Sequence, residues 1–132
     1  MSVLIDTSVI IAYYNIQEAR HAEAVELVNR ASKGEFGSII ISDYVFDETV
    51  TFFYSRFDKK RALEVGNWLL SHDVLIISTM ESTFNEAWSI FQKSTKLSFT
   101  DCVLIVLARE KHALIATFDG HFNQFKDLRI VT

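Results

Sequence analysis

The chain has 132 residues, the size of one domain, and no shift in composition across 1–132 marks a second. Apolar residues make up 49 %, eleven of them Phe, which is ample for a core, and no apolar run reaches the roughly 18 residues of a membrane span. The formal charge is −4, which excludes a protein that grips nucleic acid over its whole surface; any attraction for phosphate must be local or carried by bound cations.

The opening residues, Met1 to Asp6, carry no basic leader and reach an acid too early for a signal peptide, so the cytoplasm is the expected location. The single cysteine, Cys102, excludes an internal disulfide and a multi-cysteine zinc cluster, and its apolar surroundings read as a buried small hydrophobe.

In chain order, short apolar runs alternate with helical patterns. Val3-Leu4-Ile5, residues 38–41, 74–77, 114–117 and 128–131 have the short, β-branched character of strands buried on both faces. Ala24, Leu27, Val28 and Ala31 repeat at helical spacing, as do Phe84, Ala87, Trp88 and Phe91. Ser78 to Glu81 reads as a capping box for the second of these helices. Over 44–56 the spacing predicts a helix with Val50, Phe53, Tyr54 and Phe57 on one face. Asp58 caps the next, which runs through Trp68 and Leu69. Cys102 to Ala108 is apolar all round, which predicts a helix buried on most sides. Gly34 and Gly37 flank a turn. Alternation of this kind implies an α/β fold: a central, mainly parallel sheet, here of five strands, with helices on both faces.

Ligands of such sheets bind beyond the carboxyl ends of the strands. Four acids are delivered there. Asp6 follows the first strand. Glu48 lies in the first or second turn of the helix leaving the second. Asp101 lies in the first turn of the helix leading down to the fourth, and Asp119 lies just beyond that strand. Two carboxylates about 5 Å apart repel by about 3 kcal/mol at an effective dielectric of about 20. A cluster must therefore take up protons or bind a cation, and oxygen donors without Cys favour a hard one, Mg²⁺ or Mn²⁺. Such a site suits phosphodiester hydrolysis. Each acid has a plainer alternative taken alone. Asp6 can cap a helix, Glu48 can be solvated, Asp101 completes a capping box with Ser98, and Asp119-Gly120 is a common turn pair. The conjunction favours the site.

These motifs resemble the PIN-domain nucleases, above all the VapC-type toxins. Val3-Leu4-Ile5-Asp6-Thr7-Ser8 is similar to the family's first motif, Ile41-Ser42 with Glu48 to the second, Leu97-Ser98-Phe99-Thr100-Asp101 to the third, and Thr117-Phe118-Asp119 with Phe122 to the fourth. The resemblance covers essentially the whole chain. It implies a three-layer α/β/α, Rossmann-like PIN fold with a central, mainly parallel five-stranded sheet, and a Mg²⁺- or Mn²⁺-dependent endoribonuclease acting on RNA. Asp6, Glu48, Asp101 and Asp119 would be its catalytic acids and metal ligands, and the hydroxyls of Ser8, Ser98 and Thr117 would orient them. It also implies a homodimer and a separately encoded antitoxin. Some members carry another acid where this chain has Gly120 and His121.

Other classes fit less well. A haloacid-dehalogenase phosphotransferase needs a second Asp where Ser8 stands, and a receiver's paired acids are absent. A non-catalytic binding module would be expected to lose acids, and all four are present. An RNA-maturation nuclease outside a toxin pair stays open as an alternative. Of the four His, only His121 approaches the rim; His72 and His112 fall near helix ends on the other side. The basic groups Arg56, Lys59, Lys60, Arg61, Lys93 and Lys96 read as a solvated face or as a local phosphate track, and the surplus aromatics of 44–57 as an interface with a second subunit or an antitoxin.

Overall fold

The computed structural model describes residues 1–71 and 73–132, so the expectation for His72 lies outside the described residues. Its elements are β1 (Ser2–Ile5), α1 (Thr7–Tyr14), α2 (His21–Ser32), β2 (Ser38–Ser42), α3 (Asp43–Arg56), α4 (Lys59–Leu69), β3 (Val74–Ile77), α5 (Glu81–Lys93), α6 (Phe99–Lys111), β4 (Leu114–Ala116), a short 3-10 turn over Gly120–Gln124, and β5 (Ile130–Val131).

The strands form one sheet in the order β3-β2-β1-β4-β5, and every pairing is parallel, so the sheet is wholly rather than mainly parallel. Helices cover it in three α/β/α layers. Chain order reverses beside β1, whose neighbours are β2 and β4, so the switch point that α/β folds use for ligands lies between the ends of β1 and β4. β1 and β2 are apolar because they are central: Val3, Leu4, Ile5, Ile39, Ile40 and Ile41 are all buried. The last two strands are shorter than the apolar runs suggested. Thr117 lies outside β4 yet still donates its N–H to the Val131 carbonyl at 3.2 Å.

The helix periodicities place their buried faces with mixed success. α2 buries Ala24, Leu27, Val28 and Ala31, as the spacing required. α6 buries every residue from Cys102 to Ala108. Asp58 caps α4 by accepting the Arg61 N–H at 2.8 Å. α3 departs from expectation. Its inner face is Val45, Thr49 and Phe53, whereas Tyr54 and Phe57 are exposed. The shift has a packing cause: α4 folds back on α3, and Phe46, Val50 and Tyr54 meet Leu63, Gly66 and Leu70 across a shallow groove of about 160 Å³. α5 departs twice. It buries only Thr83 and Ala87, with Phe84 and Trp88 partly exposed around Phe99 at ring separations of 5.0 and 6.3 Å. Its capping box does not form. The N-cap is Met80, without a side-chain bond, and Thr79 instead donates its N–H and hydroxyl to Asp43 at 3.0 and 2.6 Å.

Both loop glycines have positive φ, +84° at Gly34 and +82° at Gly37. At Gly37 the close approach is decisive as well, since a Cβ would lie 1.9 Å from the Met1 carbonyl oxygen. No helix among the described residues is long and apolar enough to cross a membrane.

Candidate active site

Asp6 directly follows β1, and its N–H donates to the Ala116 carbonyl of β4 at 3.0 Å, locking the first acid to the switch point. Asp6 occupies the N-cap position of α1 but makes no side-chain cap, so its plainer alternative as a helix cap fails. The residue as a whole is only 4 % exposed. The Ser8 and Thr117 hydroxyls both donate to its Oδ2 at 2.7 Å. Ser8 Oγ in turn accepts the Phe118 N–H at 3.2 Å, and Thr117 Oγ1 accepts the Asp119 N–H at 2.9 Å. Two hydroxyls with one proton each thus tie the first and fourth motifs together through a single carboxylate oxygen.

Asp101 sits at the third position of α6 and forms the capping box in full. Ser98 Oγ accepts its N–H at 3.1 Å, and its own Oδ2 accepts the Ser98 N–H at 2.9 Å. Ser98 therefore orients Asp101 rather than touching Asp6. Asp119 heads the 3-10 turn and accepts the His121 N–H at 2.9 Å through Oδ1, with the His121 Nδ1 also 2.9 Å from that oxygen. Glu48 lies in the second turn of α3, exposed. The plainer roles of Asp101 and Asp119 are thus real, and both residues remain only partly buried.

The electrostatics join the four. Burial pushes the Asp6 carboxyl up to about 6 from an ordinary 3.8; Ser8 and Thr117 oppose the rise, and the charge of Asp101 adds to it. The Asp101 carboxyl is also raised, first by burial, with the charges of Asp119 and Glu48 contributing against the Ser98 hydrogen bonds. Asp101 feels the charges of Asp119 and Glu48, and Asp6 feels that of Asp101. The acids share a field without closing into a cage, for among the described residues no three His, Cys, Asp or Glu side chains draw together as a metal-ligating group.

Beside the rim, burial holds the Cys102 thiol up at about 11, which makes it a packing residue rather than a nucleophile. His112 forms the C-cap of α6 in the left-handed region, at the end remote from Asp101. A cavity of about 490 Å³ lies at that remote end among Arg109, His112, Asp127 and Arg129; it contains none of the four acids. One group that the motifs did not disclose stands close by: the Arg20 guanidinium lies 4.3 Å from the centre of the Phe118 ring, next to Asp119. Nothing in the sequence separates Arg20 from the other basic residues, because its partner is far along the chain.

Known proteins resemble the chain in sequence and in fold. The chain is 26 % identical over 127 residues to a VapC ribonuclease of Archaeoglobus fulgidus, covering 93 % of this chain and 80 % of that one. The crystal structure of VapC20 from Mycobacterium tuberculosis, a sarcin-ricin loop cleaving toxin, superposes with a TM-score of 0.83 at 26 % identity, covering 96 % of this chain and 98 % of that one. VapBC2 of Rickettsia felis, bound to a DNA fragment from its promoter, shares the fold with a TM-score of 0.73 at 18 % identity, over 99 % and 98 % of the two chains. The PIN domain profile matches residues 3–128, a span that holds all four acids and the hydroxyls around them, and the chain therefore belongs to the PIN domain family.

Proposed function

We propose that the chain is a Mg²⁺- or Mn²⁺-dependent endoribonuclease that hydrolyses RNA phosphodiester bonds, and that it is the toxin of a toxin–antitoxin pair. One observation carries the catalytic part. Acids from four distant stretches of chain share one electrostatic neighbourhood: burial raises the Asp101 and Asp6 carboxyls most, the charges of Asp119 and Glu48 add to the rise at Asp101, and the charge of Asp101 adds to that at Asp6. An oxygen-only donor set with this much mutual repulsion fits a hard divalent cation, which Asp6, Glu48, Asp101 and Asp119 would hold. When bound, such a cation supplies Lewis acidity at the phosphoryl group and lowers the pKa of water.

The chain's own side chains do the positioning. Ser8 and Thr117 fix Oδ2 of Asp6 so that the carboxylate cannot rotate. Ser98 fixes Asp101 at the head of α6. His121 holds Asp119 through its N–H and ring. Orientation of this kind is worth most where charge develops in the transition state.

The toxin assignment draws on the two relatives at 26 % identity, one a ribonuclease and the other a toxin that cleaves an RNA loop. An antitoxin and a second copy of the chain are the proposed protein partners. The groove between α3 and α4, with Tyr54 and Phe57 exposed beside it, offers apolar surface for them.

The test is cleavage of end-labelled tRNA and ribosomal RNA fragments by metal-stripped protein. Adding Mg²⁺ or Mn²⁺ should start the reaction, EDTA should stop it, and Asp101→Asn should remain inactive under all conditions. Cleavage that persists in EDTA, or in the Asp101→Asn protein, overturns the assignment.

A further inference from the structure

A protein of charge −4 that cuts a polyanion needs positive charge placed beside the cut, and the described structure ties one guanidinium to the rim through the fourth motif. Arg20 stands in the connection between α1 and α2. Two partners hold its side chain, and its neighbour anchors the backbone. Its guanidinium lies on the Phe118 ring at 4.3 Å. Its Nε donates to Glu23 Oε2 at 2.8 Å, and Nη2 lies 2.7 Å from the same oxygen. His21 next to it has Nδ1 2.7 Å from the Ala12 carbonyl, which pins the connection to α1. Phe118 is held in turn by the Ser8 hydroxyl that binds Asp6. The chain of contacts from guanidinium to carboxylate is therefore short and fully ordered.

We propose that Arg20 is a phosphate-binding residue of this site, taking a backbone phosphate of single-stranded RNA that flanks the bond to be cut. This inference rests on the nuclease reading above. Glu23 occupies one edge of the planar fork. Among the described residues Nη1 has no protein partner, which leaves a donor edge for a phosphate oxygen. The pair with Glu23 is solvent-exposed and weak, so it aims the fork without quenching its charge. Phe118 supplies the flat support that keeps the plane in place.

The molecule provides its own control. Arg30, at the far end of α2, has the same surroundings: Nε bonded to Glu35 at 2.6 Å and the guanidinium 4.9 Å from the Phe36 ring. Phe36 precedes β2, at the end of the sheet opposite the acids. If stacking and pairing serve only the fold, both arginines will behave alike.

The experiment is fluorescence anisotropy of labelled oligouridylate binding in calcium, over a salt series, with wild type, Arg20→Ala, Arg20→Lys and Arg30→Ala, alongside cleavage kinetics in magnesium. Arg20→Ala should weaken binding about tenfold at low salt and flatten the slope of log K against log salt by about 0.7, the loss of one phosphate contact on a single strand. Arg20→Lys should keep the slope, Arg30→Ala should keep both slope and affinity, and KM should rise in Arg20→Ala more than kcat falls. Arg20→Gln, which keeps the stem over Phe118, replaces Arg20→Ala if melting shows the latter misfolded. Equal slopes in wild type and Arg20→Ala, or an equal loss in Arg30→Ala, overturn the inference while leaving a cleaving wild type intact. A wild type that neither binds nor cuts RNA overturns the nuclease reading and this inference with it.

Discussion

Replacing Asp6 with Asn should make the metal-free protein more stable at neutral pH, although it removes a charged group held by two hydrogen bonds. Burial raises the Asp6 carboxyl from 3.8 to about 6 in the folded chain. Below about pH 3.8 the group is neutral in both folded and unfolded chains, and it costs nothing. Between the two values the unfolded chain loses its proton while the folded chain keeps it, so stability falls as pH rises. Above about pH 6 the whole difference is lost, and it amounts to roughly 3 kcal/mol. Asn has no proton to lose, and its amide oxygen can accept from Ser8 and Thr117 where Oδ2 does now. In EDTA at pH 7.5 the variant should melt roughly 10 °C above the wild type, at about 4 °C per kcal/mol for a domain of this size. At pH 4 the two melting points should converge. Magnesium should then raise the wild type more than the variant, since only the wild type keeps the full ligand set. A variant that melts lower at pH 7.5, or a gap that does not shrink in acid, would refute the account of Asp6 as a buried, strained charge.

Thr117→Val removes a hydroxyl that lowers the Asp6 carboxyl, so that group should titrate higher than about 6; carbon NMR of its carboxyl in EDTA reads the change, and an unmoved value defeats the network. Ser98→Ala takes the cap from α6 and should cost about 1 kcal/mol in a urea melt, with slower RNA cleavage because Asp101 loses its holder. Gly37→Ala puts a Cβ against the Met1 carbonyl at a positive φ, and should destabilise by at least about 2 kcal/mol in the same assay without touching the acids.

The sequence by itself determined the α/β alternation, the buried helix over Cys102 to Ala108, the Asp58 and Ser98 caps, and the delivery of four acids to one end of a parallel sheet. Each of these is written in local spacing or in chain order, because helix period, capping chemistry and the direction of parallel strands act over a few residues or follow from connectivity. The tertiary structure alone decided which face α3 turns inward, since α4 folds against it and leaves Tyr54 and Phe57 in solvent. It also tied Thr79 to Asp43 at the head of α3. It joined Ser8 and Thr117, 109 residues apart, on one oxygen of Asp6, and it laid Arg20 on Phe118. Contacts of that kind depend on where whole elements dock. A hydroxyl or a guanidinium carries no mark of the distant partner that packing will bring to it.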